Sequence, residues 1–211
     1  HILWFNILMK KTPATKIILF FFLAVMAGMI GLAIVSKEAF MALMRQPALI
    51  QHARFIHIAS TTLFFSNAVI GMFWERRSLA SRSKEIILHT YNTVTLLDSA
   101  LSSPLIILSL LSGLSLSFQL GEMFQIGWLS VGFLLFILSG VVWVVSDIPT
   151  QYKMKRLLSG IGEHEQSLPP ELIRVMNMRW WIGILGTLPM AAAFILMVYK
   201  PDILAVADWF R

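Results

Sequence analysis

The chain of 211 residues is strongly apolar: 57% of its residues are hydrophobic, 13% are charged and the mean hydropathy is +0.76. A soluble domain carries roughly 25% charged residues, so this composition excludes an ordinary water-soluble globular protein. The net charge of +6 does not indicate nucleic-acid binding, because the lysines and arginines stand in short clusters between apolar runs. The absence of cysteine excludes disulfides, thiolate metal sites and a cysteine nucleophile.

Five apolar runs are each long enough to cross a hydrocarbon layer of about 30 Å as a helix. They cover residues 16–35, 55–74, 86–118, 126–145 and 180–199. The sequence therefore predicts an all-α integral membrane bundle of five transmembrane helices, in which an N-terminal helix precedes a four-helix domain at residues 54–201. The first run has no small-x-small cleavage site, which favours a retained anchor over a signal peptide.

Lysine and arginine are divided unequally between the two sides that the spans define. Twelve of the seventeen fall on the side of the N-terminus. The positive-inside rule then makes residues 1–15 a cytoplasmic segment, residues 36–53 an outer loop and residues 202–211 an outer tail. The pattern EAFMALMR in that loop predicts a helix on the membrane surface. We expect a multi-pass protein of a bacterial inner membrane.

Polar side chains at membrane depth are costly and are the best indicators of a site in such a chain. Small and hydroxyl residues recur at helical spacing on four spans, which is typical of close helix packing. Asn67 on the second span is expected to form a hydrogen bond across helices. Asp98 on the third is either protonated and hydrogen-bonded to Ser or Asn neighbours, or handles protons or cations.

His57 lies one turn inside the outer end of the second span, where a histidine is either interfacial or a ligand of haem or a metal. As a haem ligand it needs an axial partner of similar depth, for which Met29 and Met197 are candidates. Soft ligands suited to copper(I) also occur in the outer loop, namely Met41, Met44 and His52. Twelve methionines in an apolar chain bring such neighbours together by chance as well.

Four stretches form a spaced pattern: FIHI at 55–58, the helix from LD at 97–98 through SP at 103–104 to SG at 112–113, the helix from SG at 139–140 to Trp143, and the stretch from LPP at 168–170 through WW at 180–181 to MVYKP at 197–201. This pattern resembles that of the predicted integral membrane proteins called domain of unknown function 2269. The resemblance covers residues 54–201, so the first span looks like an addition to a four-helix unit. This family is distantly similar to the HemJ-type protoporphyrinogen oxidases and the CopD-type copper-resistance proteins.

The resemblance implies a specific role for His57. The HemJ type and the CopD type share a histidine on the first helix of a four-helix core, and in the HemJ type that histidine is implicated in binding haem b. Arg54 matches a basic residue that commonly stands three positions earlier; it would pair with a haem propionate or act as an interfacial anchor. Other ligand and substrate-contacting residues of the HemJ type have no counterpart that can be placed here, so porphyrinogen oxidation would rest on fold analogy alone.

Three hypotheses follow for the function. The first is a redox-associated bundle that binds haem b through His57, with Met197 as a further axial candidate. The second is a non-enzymatic accessory subunit that packs against partner membrane subunits or a second copy of itself. The third is a transporter of copper or a small solute that uses Asp98 and the methionines. No known catalytic motif is present to decide whether the protein is an enzyme.

Overall fold

The computed structural model describes residues 35–121, 123–161 and 168–209, together with residues 24, 25, 27, 28, 31 and 32. Secondary structure in these residues is helical, without a β-strand. Four continuous helices are long and apolar enough to cross a membrane, namely Pro47–Ser81, Lys84–Leu120, Gly127–Ser159 and Pro170–Tyr199. They cover the second to fifth predicted runs except for residue 126, so four of the five predicted apolar helices are confirmed. The predicted first span, residues 16–35, lies mostly outside the described residues.

The α-helices within and before these spans are α1 (Lys37–Met44), α2 (Ile50–Ser81), α3 (Lys84–Leu97), α4 (Ser103–Leu120), α5 (Gly127–Val142), α6 (Ile148–Ser159) and α7 (Pro170–Tyr199). Short 3₁₀ turns at Pro47–Leu49 and Met123–Gln125 precede α2 and α5, and another at Val206–Asp208 follows α7. The helices extend beyond the apolar runs: α2 continues past Trp74, and α6 and the start of α7 occupy a stretch that hydropathy assigns to a loop. An apolar run marks the part of a helix that can lie in hydrocarbon. The helix itself is defined by its backbone hydrogen bonds and can continue into polar surroundings, so the ends of the run and the ends of the helix differ.

Two spans widen for one π-helical turn just before a proline. The turns are Asp98–Ser102, between α3 and α4, and Trp143–Asp147, between α5 and α6. At the first, the Ser103 N–H donates to the Asp98 carbonyl, five residues back, and Pro104 follows. A proline lacks an N–H and its ring crowds the preceding turn, so a local rearrangement lets the helix continue past it. The second turn has the same form, with Pro149 as the proline.

The described part of the chain divides into two compact units, of which the first comprises its residues up to 67 and residues 94–121. In this unit α1 packs on α4 through the edge-to-face rings of Phe40 and Phe118, whose centroids are 5.7 Å apart. Arg45 Nε donates to the Phe118 carbonyl at 3.2 Å, and the Ser115 hydroxyl donates to the Met44 carbonyl at 3.1 Å. A helix thus occupies the part of the loop where the sequence predicts one, while its location on a membrane surface stays a prediction.

The second unit comprises residues 68–93, 123–161 and 168–209. Its most extensive helix interface lies between α5 and α7, where the Ser139 hydroxyl donates to the Gly186 carbonyl at 2.6 Å. The segment after α7 contacts the start of α5, because the Val206 N–H donates to Ser130 Oγ at 3.2 Å. A buried apolar cluster joins α3, α6 and α7; its members are Ile87, Tyr91, Met154, Leu158, Ile161, Leu172, Val175 and Met176.

Candidate functional site

His57 projects from α2 onto α4 within the first unit. Its Nδ1 lies 2.9 Å from the backbone carbonyl oxygen of Ser109. Because a carbonyl only accepts, Nδ1 carries the proton in this bond, and a neutral ring then has its lone pair on Nε2. Among the described residues the ring makes no second hydrogen bond. The arrangement therefore fixes one tautomer and leaves Nε2 as the atom able to bind a metal.

Gly113 makes the close approach of this ring possible. A Cβ atom at position 113 would lie 2.8 Å from His57 Cε1 and 3.1 Å from Nδ1. Both distances are shorter than ordinary van der Waals contact, so any larger residue at 113 would displace the imidazole. The position of His57 is set by the backbone of α4 as much as by α2.

Two more polar contacts join α2 to the neighbouring span in the first unit. The Thr61 hydroxyl donates to the His57 carbonyl at 2.6 Å and, with its only proton used, accepts from the Ser109 hydroxyl at 2.7 Å. Further along α2, Asn67 Nδ2 donates to Ser102 Oγ at 2.8 Å. These contacts and the bond from His57 to Ser109 form a row of neutral hydrogen bonds between two antiparallel spans, which we call the polar row.

Asp98 begins the first π-turn and is half-buried. Its backbone carbonyl accepts both the N–H and the hydroxyl of Ser103, the latter at 2.9 Å. No three His, Asp or Glu side chains in the described part of the chain come together as a metal site. A role of the Asp98 carboxylate with protons or cations stays a prediction.

The remaining residues singled out by sequence occupy different surroundings. Arg54 is exposed on α2, three residues before His57. On α1, Met44 is buried and Met41 is half-buried. Met197 belongs to the second unit, where its Cε packs on Gly132 so closely that a Cβ there would lie 2.8 Å away.

A different kind of cluster surrounds Arg179 on α7, in the second unit. Only 5% of this side chain is exposed, and its Nε and Nη2 donate to the two carboxylate oxygens of Glu75 at 3.1 and 2.9 Å. Its Nη1 lies 3.0 Å from Asp147 Oδ1 and donates to Thr150 Oγ1, also at 3.0 Å. The guanidinium carbon stands 5.4 Å from the ring centroid of Tyr91. Arg179, on the fourth of the long apolar helices, thereby contacts residues of the other three.

This Arg179 cluster combines one cation with two carboxylates that are themselves 14% and 15% exposed. The bidentate pairing of a planar guanidinium with a carboxylate fixes both distance and orientation. A buried ion pair of this kind is costly to break, because the remaining charge loses both its partner and its water. The cluster therefore stabilises the packing of the helices in the second unit.

Neither Arg179 nor Glu75 stands out as a site residue in the sequence, where Arg179 only adds to the count of positive charges on one side. A usable signal nevertheless exists, since Glu75, Asp147 and Arg179 each stand within two residues of the end of an apolar run. The predicted topology places all three ends on one side of the membrane. Opposite charges at one depth would have predicted a pairing.

Long apolar helices with polar contacts between them define a multi-pass helical membrane protein. The family model of a predicted integral membrane protein, DUF2269, matches residues 51–201 of the chain. That is well over half of its length, so the chain belongs to this family. No curated protein and no solved structure shows significant similarity to it. The distant resemblance to the HemJ and CopD types stays a prediction.

Proposed function

We propose that this membrane protein binds haem b through Nε2 of His57 and serves in a redox-associated role. The observation that supports the proposal is the Nδ1–H bond of His57 to the Ser109 carbonyl. Histidines that ligate metals commonly donate their other N–H to a carbonyl or carboxylate, which fixes the tautomer and makes the ligating nitrogen more basic. Neutral imidazole is a frequent axial ligand of haem iron.

The residues around His57 fit such a ligand. Ser109 orients the ring, Gly113 gives it space, and Thr61 fixes the turn of α2 that carries it. Arg54, three residues earlier and exposed, offers a guanidinium to a haem propionate. Haem bound there would supply one-electron transfer, while the protein would contribute the axial ligand and the polarity around it.

The proposal requires one protein ligand only, since haem iron functions with a single proximal histidine in several protein classes. Met197 remains a candidate for a second axial ligand on the basis of sequence. The positive-inside count places the N-terminus in the cytoplasm, and with it His57 towards the outer surface of a bacterial inner membrane. An accessory subunit and a copper or solute transporter are the alternatives, and no contact among the described residues favours either.

Visible absorption spectra test the proposal. We would express the full chain with a haem supply, purify it in mild detergent, and record oxidised and dithionite-reduced spectra of the wild type, His57→Ala and His52→Ala. His52 is the matched control, because it is an exposed histidine of the same helix. We expect a Soret band and reduced α and β bands in the wild type and His52→Ala, and their loss in His57→Ala. A featureless spectrum from folded, haem-supplied wild type, or unchanged bands in His57→Ala, would overturn the proposal.

A further inference from the structure

A groove in the second unit combines arginines with an apolar wall. It lies between the end of α2, the turn that follows, and the start of α7, and encloses about 700 Å³. Among the residues that the structure describes, the charged ones that line it are Arg76, Arg77 and Arg82, and none of the lining residues is acidic. Phe73 and Ile173 contribute to its apolar wall. A ligand that fits must therefore carry negative charge at one end and tolerate hydrocarbon at the other.

The guanidinium of Arg76 is held in place without being neutralised. Its Nη1 donates to the amide oxygen of Asn177 at 2.6 Å, and its central carbon lies 5.8 Å from the ring centroid of Trp180. No carboxylate among the described residues forms a salt bridge with any of the three arginines. A preoriented guanidinium whose charge is unpaired suits a phosphate, which it contacts through its remaining N–H groups.

Arg82 is held in an unusual backbone conformation. Its φ angle is +52°, in the left-handed region that glycine or asparagine usually occupies, and it directly follows α2, which ends at Ser81. A non-glycine residue in this region carries a steric cost, because its Cβ crowds the following carbonyl oxygen. The side chain placed there lines the groove, so the turn contributes a third cation at that cost.

The apolar side of the groove lies at the level that the apolar runs predict for the membrane interface. Phe73 is 59% exposed and meets Trp180 edge to face, with ring centroids 5.6 Å apart. Both residues lie at the end of an apolar run, the level that aromatic side chains prefer in a bilayer. An acyl chain can lie against exposed aromatic surface at this level while its headgroup contacts the arginines.

We infer that this groove binds an anionic phospholipid, with the phosphate headgroup among Arg76, Arg77 and Arg82 and an acyl chain along Phe73. Basic pockets beside transmembrane helices recognise anionic lipids by this combination of charge and hydrocarbon contact. The groove lies on the side that the positive-inside count assigns to the cytoplasm, where anionic headgroups attract such clusters. The inference is independent of haem binding.

Lipid titrations of the purified full chain, followed by native mass spectrometry, test this inference. The lipids are dioleoyl phosphatidylglycerol and dioleoyl phosphatidylcholine, which differ in net charge but not in acyl chains. Inorganic phosphate and polyglutamate serve as competitors that represent a soluble anion and an acidic protein. We expect the wild type to bind phosphatidylglycerol about tenfold more tightly than phosphatidylcholine, or more. Either competitor, added at a concentration of negative groups equal to that of the lipid headgroups, should leave this preference unchanged.

Matched variants locate the site. The triple variant R76Q/R77Q/R82Q should lose the preference, whereas K155Q/R156Q/R174Q, which removes three exposed cations outside the groove, should keep it within about twofold. Arg77→Gln with Arg82→Gly leaves the Arg76 contacts intact and relieves the positive φ, so it should fold normally and still weaken the preference. Thermal unfolding without added lipid verifies folding of each variant.

A preference for phosphatidylglycerol that survives in both groove variants, or that falls equally in the control triple, would overturn the inference. Displacement of the lipid by inorganic phosphate would instead assign the arginines to a soluble anion. Displacement by polyglutamate would assign them to an acidic protein segment. Either displacement contradicts the lipid site.

Discussion

The two units of the protein hold their helices together by different chemistry. In the first, neutral groups form the polar row, and each such bond contributes on average about 0.6 kcal/mol in a membrane protein. In the second, the three charged side chains of the Arg179 cluster are only 5%, 14% and 15% exposed. The loss of one neutral bond costs the protein little stability, and these bonds leave His57 Nε2 available for a ligand. The loss of one charge from the Arg179 cluster leaves another charge buried without a partner and costs much more. We therefore associate the proposed haem chemistry with the first unit and the largest contribution to stability with the Arg179 cluster of the second.

Removal of the arginine from the Arg179 cluster should have the largest effect. Arg179→Met preserves most of the side-chain volume but leaves Glu75 and Asp147 buried without their cation. We expect the free energy of unfolding to fall by about 3–5 kcal/mol. Unfolding in mixed micelles of dodecyl maltoside and SDS, followed by tryptophan fluorescence, measures this change.

A matched variant separates lost charge balance from lost packing. In E75Q/D147N/R179M all three charges are removed, so no unpaired charge remains buried, and most of the stability should return. Arg179→Lys keeps the charge but not the bidentate geometry, and should fall between the two. If the triple variant is as unstable as Arg179→Met, the charge explanation for this cluster is wrong.

Gly113→Ala should have the next largest effect, and it acts on the first unit. The added Cβ would stand 2.8 Å from His57 Cε1, so the ring or the helix must shift. Overpacking of this kind costs about 1–3 kcal/mol. Because the substitution also displaces the imidazole, the free energy of haem binding should decrease by more than the free energy of unfolding does. A variant that keeps wild-type haem affinity and stability would show that the ring does not depend on this contact.

Thr61→Val should cost less, because it removes one member of the polar row. The Ser109 hydroxyl loses its acceptor, and we expect a decrease of about 0.6 kcal/mol in the same unfolding assay. The control Thr62→Val alters an exposed threonine on the same helix. A loss of several kcal/mol in Thr61→Val would mean that the neutral contacts rival the charged cluster.

Lys153→Gln should have no measurable effect on stability. Lys153 Nζ lies 2.7 Å from Glu171 Oε1, but the two side chains are 39% and 55% exposed. Water and salt screen such a pair, and ordering both side chains offsets the attraction. A clear destabilisation here would show that exposure is a poor guide to the strength of ion pairs in this protein.

The sequence predicts the long helices of this fold well, because hydropathy and helix length are local properties. It also predicts that His57 and Asn67 face neighbouring helices, since their small and polar neighbours recur at helical spacing. The bond from His57 to a backbone carbonyl could not be predicted, because it depends on the register of α2 against α4. That register is set in part by the π-turn at Asp98–Ser102, which periodicity does not reveal.

Neither the Arg179 cluster nor the arginine groove was predicted from the sequence, for a different reason. Hydropathy ends a span at the first charged residue, so Glu75 and Arg179 read as loop residues although both lie within helices. The groove depends on α2 and α7 extending beyond their apolar runs. Such extensions depend on tertiary packing, in particular on the buried apolar cluster of α3, α6 and α7.

Chemical rescue of the axial ligand tests the central claim most directly. In His57→Gly the imidazole is removed, and added free imidazole can take its place beside the Ser109 carbonyl. We predict that the purified variant with supplied haemin lacks the wild-type Soret band, and that millimolar imidazole restores it, while the His52→Gly control needs no rescue. A His57→Gly protein that holds haem as the wild type does, without imidazole, would contradict the account.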